Sequence, residues 1–546
     1  MTSTLTPIQI EVIGSVLESI CEEMGEALIK ASFSPNVKER RDCTTAIFDL
    51  NGQALAQAEH IPIHLGSLIG IVSAITAVYP INEIRPGDSF IGNDPYSGGG
   101  THLPDIVLVT PLFAGSRLIA WAANLAHHAD YAERGHENIF QEGLRIPVTR
   151  FLREWEFVPD VLRMILTNMQ VPAERVADFK AQVSANRLAA NRFSEICDEY
   201  GVDVVMRGAA GLLDYTERKT RAAIAAIPDG RYEFGDVFEC NELPDPVDLF
   251  VAVTVAGDEI RLDFEAPAQV RAGINMVETA LLATVYYAIK SLVGPGIPAN
   301  SGLHRPITVS APIGSLINCV APAAVHSRVQ VCQRIVDLVY GALAPVLPER
   351  VTGAANGAVS SMQFSGIDPR TGKFYVYVES IGGGNGGGSC YDGLDGVQAH
   401  ITNSSNLPVE NLEAEYPIIV EAYELIDGSG GVGTFRGGMG VHRRVRVEHD
   451  DALCEINISR VSTRPWGIFG GGPGTASRAE VNGKVDNGVL RRVQRNDIVS
   501  IFTAGGGGYG PPLDREPTLV EQDLREQRIS PQVASESYGA EMAKEI

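Results

Sequence analysis

Positive charge is scarce in this chain: 44 Lys and Arg stand against 67 Asp and Glu, a formal net charge of −23. Nucleic acid and anionic membrane surfaces both need a basic face, so neither is an expected partner. Paired cysteine spacings are also missing. Cys21, Cys43, Cys197, Cys240, Cys319, Cys332, Cys390 and Cys454 are scattered with no CxxC pair, which excludes a zinc ribbon and fits a reducing compartment. No long apolar run is present. Residues 61–82 lack Asp, Glu, Lys and Arg, but Pro62, His64, Pro80, two glycines and three serine or threonine residues interrupt them, so a buried helix is expected there and not a membrane span. The opening MTSTLTPIQIEV has no basic stretch leading into an apolar core, so no secretory signal is expected and the expected location is cytoplasmic.

Phosphate loops are missing too, although there are 57 glycines. GGGNGGGSC has no following Lys-Ser/Thr, and Gly470 to Gly474 follows Trp466 and cannot open a helix, so neither is a nucleotide fingerprint. These glycines are expected to turn the backbone near a site or a neighbouring subunit, with 381–388 (IGGGNGGG) as a flexible run. No Gly-x-Ser-x-Gly frame surrounds Ser389-Cys390, so covalent catalysis there is set aside. Cys43, beside Asp42, reads as a small buried residue.

What is present supports a large folded protein. At 546 residues, with 45% hydrophobic and 20% charged, the chain is globular, and its length suits about three or four domains. Thr6-Pro7-Ile8-Gln9 predicts a capped helix start, and Ile13, Val16, Leu17, Ile20, Met24, Leu28 and Ile29 continue it at helical spacing. A strand is predicted over 42–50, a hairpin turn at Asn51-Gly52, helices over 156–228, and strands with a Gly257-Asp258 turn over 230–265. Helices are predicted at 279–292 and 329–343, a strand over 353–377, and β structure over 441–499 with a turn at Asn482-Gly483. Two short helices end the chain, the last from Ser530-Pro531 to Gly539, docking across the body or onto a partner. The expected class is α+β and multi-domain, with mixed sheets, helical insertions, Gly-rich loops and a C-terminal β-rich region. Its expected parts are an N-terminal metal-site domain (1–155), a helical segment (156–228), an α+β middle (229–350), a Gly-rich β domain (351–515) and a helical tail (516–546).

The densest chemistry lies in Gly92 to Asp130. His102 and Asp105 follow a loop holding Gly98, Gly99 and Gly100, and His127 and His128 lie about 25 residues on. Ile106 to Leu112, ended by Pro111, and Arg117 to Ala126 read as antiparallel strands turning at 114–116. Such a hairpin brings its outer ends together, and two imidazoles with a carboxylate form a usual shell for a divalent metal with open positions. Six of the eleven histidines fall before residue 150: His60, His64, His102, His127, His128 and His136. Asp42, closing the charged run Glu39-Arg40-Arg41-Asp42, is a candidate fourth ligand or base. His60 and His64 are assigned outer or structural places, because Pro62 disfavours a helical HxxxH arrangement.

Ten pieces, in order, resemble the hydantoinase B/oxoprolinase (HyuB) family: ERRDCTTAIFD, AEHIPIHLGS, GDSFIGNDPYSGGGTHLPD, HHAD, IFQEGLRIP, GGGNGGGSCYDG, NSSNLPVENLEAEYP, FRGGMG, RPWGIFGGGPG and AGGGGYGPP. The resemblance implies an HyuA-type ATP-binding partner that phosphorylates a substrate oxygen, in a hetero-oligomer with two or more copies of each component. It implies ring opening of 5-oxoproline, hydantoins or lactams, or carboxylation of ketones such as acetone and acetophenone. It carries a divalent metal (zinc, manganese or iron) onto His102, Asp105 and His127, with Asp42 as fourth ligand or proton acceptor. The expected reading is the HyuB-type component of an ATP-dependent cyclic amide hydrolase; a component of a ketone carboxylase and a non-catalytic scaffold are the alternatives. Asn93 and Asp94 are expected to orient the ligand loop, and His128 to orient ligands or bind substrate. After HHAD many members read Val-Gly-Gly and then Pro-Gly-Ser, where this chain has Tyr131-Ala132-Glu133-Arg134-Gly135-His136, so its pocket wall differs.

Overall fold

The computed structural model describes residues 5–58, 60–129 and 132–540; Asp130 and Tyr131, quoted above, lie outside them. The fold is α+β. Its five sequence-read parts distribute over two compact units: Met1–Arg231 with Thr254–Asp263 and Ala268–Arg328, and Tyr232–Val253 with Phe264–Pro267 and Val329–Ile546. Among the described residues, no helix is long and apolar enough to cross a membrane.

The first unit is built on a seven-stranded sheet. Its strands are β1 (Cys43–Phe48), β2 (Ala54–Gln57), β3 (Ser89–Gly92), β4 (Asp105–Ala114), β5 (Arg117–His127), β6 (Thr149–Arg153) and β7 (Glu156–Phe157), in the order β2-β1-β5-β4-β3-β6-β7. Every neighbouring pair is antiparallel. The sheet is buried on both faces. The helix Pro7–Ala31, started by the expected Thr6/Gln9 capping box, buries Ile13, Leu17, Ile20, Met24 and Leu28 against Ala122 and Ala126 and against Ala181, Ala185 and Phe193 of the long helix Pro172–Tyr200. Trp121, Ala123 and Leu125, alternate residues of β5, face the other way onto Ile71, Val72 and Ile75. A polar ladder crosses the first interface: Gln182 donates to the Ile106 carbonyl and Asn186 to the Leu108 carbonyl, and both bond Asn124. A fully satisfied buried network of this kind fixes how the helix seats on the sheet.

Two local expectations change. Pro111 does not end β4, which continues to Ala114. Strand β3 pairs with β4 only as far as Val109, so beyond it the edge is open and a missing N–H costs little. Residues 61–82 hold two short helices, His64–Ser67 and Ile71–Val78, in place of one. Gly70, at φ +91°, separates them.

The second unit contains the buried helix Val329–Leu343 and two antiparallel sheets that share one apolar core. Residues 353–359 are not strand, which begins at Ser360. They join the glycine runs, which form a hydrogen-bonded bundle and not a flexible segment. Gly384 donates to Ala504, Gly387 to Gly507, Gly431 to Gly506, Gly438 to Asn385, Gly506 to Gly438, and Gly507 to Ala354. The backbones lie so close that a Cβ on Gly384 would stand 2.0 Å from the Gly438 oxygen, and one on Gly437 1.9 Å from the Gly506 oxygen. Glycine is required by crowding, as at the axis of a collagen triple helix. The tail docks on this unit: Arg515 and Arg436 both reach Asp523, and Arg436 also bonds Asp395.

Candidate metal centre

The register of the β4/β5 hairpin sets Asp105 directly opposite His127. Next to them β1 pairs Cys43 with Ala126, and the His127 N–H donates to the Asp42 carbonyl. The loop before β4 returns His102 to the same end. Asn93 pins this loop as expected, donating to the Leu103 and Leu144 carbonyls and accepting from the Ile146 N–H. Asp94 accepts from Tyr96 N–H and pairs with Arg145 at 2.8 Å. Gly100 is needed where it stands: its φ is +84°, and a Cβ would lie 2.7 Å from that of Asp105.

His102, Asp105 and His127 each offer a ligand atom within 4.8 Å of the others. His102 Nε2 and Asp105 Oδ1 are 3.3 Å apart and both are buried without a hydrogen-bond partner. Their companion atoms are occupied. His102 Nδ1 meets the His326 carbonyl at 3.2 Å, which fixes the proton on Nδ1 and leaves the Nε2 lone pair free. Asp105 Oδ2 accepts from Thr101 Oγ1 at 3.1 Å and Arg328 Nη2 at 3.2 Å. The Asn36 amide meets His127 Nδ1 at 3.3 Å. Two buried donor atoms with no hydrogen-bond partner, oriented by hydrogen bonds from behind, fit a divalent cation.

The electrostatics agree. Burial, with Arg328 nearby, pushes the His102 imidazole down to about 4, so it is neutral at pH 7. Burial works against the Asp105 carboxylate, but His102 and Arg328 outweigh it and hold the group well below the usual range. Asp42 is half-buried. Its Oδ1 is 3.7 Å from His64 Nε2, which is itself 3.9 Å from Asp105 Oδ1. Burial also pushes His64 down to about 4.

His64 therefore stands among the site residues. It lies beside Asp42 and Asp105 as an outer residue, without its HxxxH partner. His60 packs instead on the first helix, where a Cβ on Gly25 would meet its Nε2 at 2.3 Å. His128 is also placed elsewhere. One residue past His127, it turns to the long helix, bonds Gln182 Oε1 at 3.1 Å and lies against Phe179. The expectation that it orients ligands or binds substrate is corrected: it is buried in the packing under the site. Cys43 is buried as expected, and burial pushes its thiol up. Arg328, His326 and Thr101 escaped the sequence reading. Only Thr101, four residues before Asp105, carried a local signal.

A sheet with helices on both faces, two imidazoles and a carboxylate at one end, and a separate glycine-bundle unit define the architecture. The chain belongs to the hydantoinase B/oxoprolinase family, whose model matches residues 6–512. It is 30% identical to the putative D-/L-hydantoinase B component of a Pseudomonas species (strain NS671), over 98% of this chain and 95% of that one. The ATP-dependent caprolactamase structure from Pseudomonas jessenii matches with a TM-score of 0.89 at 28% identity, covering 99% of this chain and 97% of that one. A nucleotide-free acetone carboxylase matches with a TM-score of 0.90 at 19% identity, over 99% of this chain and 80% of that one, a likeness of fold alone.

Proposed function

We propose that this chain is the metal-dependent HyuB-type component of an ATP-dependent cyclic amide hydrolase, acting on a lactam, hydantoin or 5-oxoproline ring phosphorylated by an HyuA-type partner. The observation that carries the reading is the convergence of His102, Asp105 and His127 with two buried donor atoms unpartnered. The hydantoinase and caprolactamase relatives, each named as one component of a larger enzyme, support the amide class and a partner chain. An amide resists attack because its nitrogen donates into the carbonyl; phosphorylation of the oxygen leaves an imidate carbon to which water adds, the ring C–N bond then breaks as the nitrogen takes up a proton, and a second water releases the phosphate. His102, Asp105 and His127 would hold the ion, with Asp42 as fourth ligand or proton acceptor. Zinc, manganese or iron there would supply Lewis acidity. Neutral His64, between Asp42 and Asp105, is placed to share the proton that Asp42 accepts. Arg328 and Thr101 keep the second Asp105 oxygen occupied, so the first would be left to hold the ion.

The test is ADP release by the native complex, purified through a tag on this chain and offered cyclic amides and simple ketones with and without bicarbonate. ADP formed with a cyclic amide, independent of bicarbonate, is the expected result. Turnover only with ketone plus bicarbonate would overturn the hydrolase reading in favour of a carboxylase. Normal turnover by a His102→Ala, His127→Ala double variant would leave the chain a scaffold.

A further inference from the structure

The IFQEGLRIP segment holds the ligand loop through Leu144, Arg145 and Ile146, and its acid reaches the site by a second, indirect route. Glu142 is 3% exposed. It follows the single turn Ile139–Gln141, which is tied to the 322–328 segment because Ile139 N–H donates to the Pro322 carbonyl. Glu142 Oε1 accepts two backbone N–H groups of that segment, Val325 at 2.8 Å and His326 at 2.7 Å. The next contacts of the same segment fall on the candidate ligands. The His326 carbonyl holds His102 Nδ1, and Arg328 holds Asp105 Oδ2 and, at 2.7 Å, Thr101 Oγ1. One carboxylate oxygen thus fixes the short turn that orients two of the three ligands.

We infer that Glu142 is a positioning residue for the metal centre, setting the affinity of the His102/Asp105/His127 group for a divalent ion through the backbone of residues 325–328. The inference rests on the proposed metal role of those ligands. Partners in this outer position typically change metal affinity about 10- to 100-fold when removed. Glutamine at 142 keeps a carbonyl oxygen for both N–H groups; alanine and methionine keep none.

The experiment measures zinc affinity of the full chain by competition with a chromophoric chelator, for wild type, Glu142→Gln, Glu142→Ala and Glu142→Met. Glu142→Gln is expected within about 3-fold of wild type, and the other two about 10- to 100-fold weaker, with the zinc-free melting temperature recorded beside each. Methionine fills the side-chain volume, so it serves if alanine does not fold. Amide exchange in wild type gives an independent reading: zinc is expected to slow exchange in the peptide spanning 322–328. Wild-type affinity in folded Glu142→Ala or Glu142→Met, or no change in that peptide's exchange on zinc binding, overturns the positioning role alone. A wild-type chain that takes up none of zinc, manganese and iron overturns the metal reading and this role with it; if it takes up manganese or iron and not zinc, the same four chains are compared with that ion and the same outcomes apply.

Discussion

Arg328 and Asp105 make the buried pair on which the site's electrostatics turn. Their nearest atoms are 3.2 Å apart, and the side chains are 4% and 0% exposed. At an effective dielectric of about 20, two unit charges at this distance attract by about 5 kcal/mol. Desolvation takes back much of that, but removing one partner strands the other, which typically costs about 3–5 kcal/mol. Thr101 still donates to Asp105 by hydroxyl and backbone N–H, so the lower end applies. Arg328→Met, in chelator, is expected to destabilise the first unit by about 3 kcal/mol in urea unfolding followed by Trp121 fluorescence in a background where Trp155 and Trp466 are replaced by phenylalanine. Asp105→Asn removes the stranded charge. In the double variant the two losses are therefore expected to fall short of additivity by about 2 kcal/mol. Zinc should recover part of the Arg328→Met loss, because a cation replaces the lost charge. Losses that add within about 0.5 kcal/mol would refute the coupling and with it the account of how Asp105 is held.

His128 gives a pH dependence. Burial lowers its pKa from 6.5 to about 4, so the unfolded chain takes up the proton first as pH falls. Stability from this group is therefore complete above pH 6.5 and is lost down to about pH 4; in His128→Leu the slope over that window should drop by up to about 1.4 kcal/mol per pH unit, with zinc affinity kept. An unchanged slope in acid titration of the unfolding midpoint would count against it. Gly384→Ala should cost at least about 3 kcal/mol or abolish soluble expression, since the Gly438 oxygen cannot move without the bundle. Gly115→Asn, at φ +59° with nothing within 4 Å, should stay within about 1 kcal/mol by thermal melting. A thiol reagent should titrate one of eight cysteines in the native protein, Cys390, the others being buried; modification of several would show an opened core.

Short-range features were legible in the letters. The Thr6/Gln9 box, the Asn51-Gly52 turn and the Ser530 to Gly539 helix are set by neighbouring residues, and each formed as read. The hairpin joining Asp105 to His127 was legible because two apolar strands and a short turn leave one register. Arg328 and His326 were not, since more than 220 residues separate them from the ligands they bond and no periodicity announces it. His128 was misplaced for the opposite reason: adjacency to His127 suggested a shared role, while consecutive residues of an extended chain face apart. The glycine runs were misjudged because glycine's freedom in isolation says nothing about the crowding that demands it.

That crowding has a spectroscopic consequence. The bundle's amides are ordered and bonded, yet they lie in neither helix nor strand, so far-ultraviolet circular dichroism of the second unit records its helices and sheets and under-counts this lattice. Amide exchange reports the reverse, with slow protons at Gly384, Gly387, Gly431 and Gly506 in segments that a dichroism spectrum assigns to coil. Nor can the lattice be repaired by substitution elsewhere. A side-chain core absorbs a lost methyl through a gained neighbour, but here the packed surfaces are main chain, the one part of a protein that mutation cannot resize.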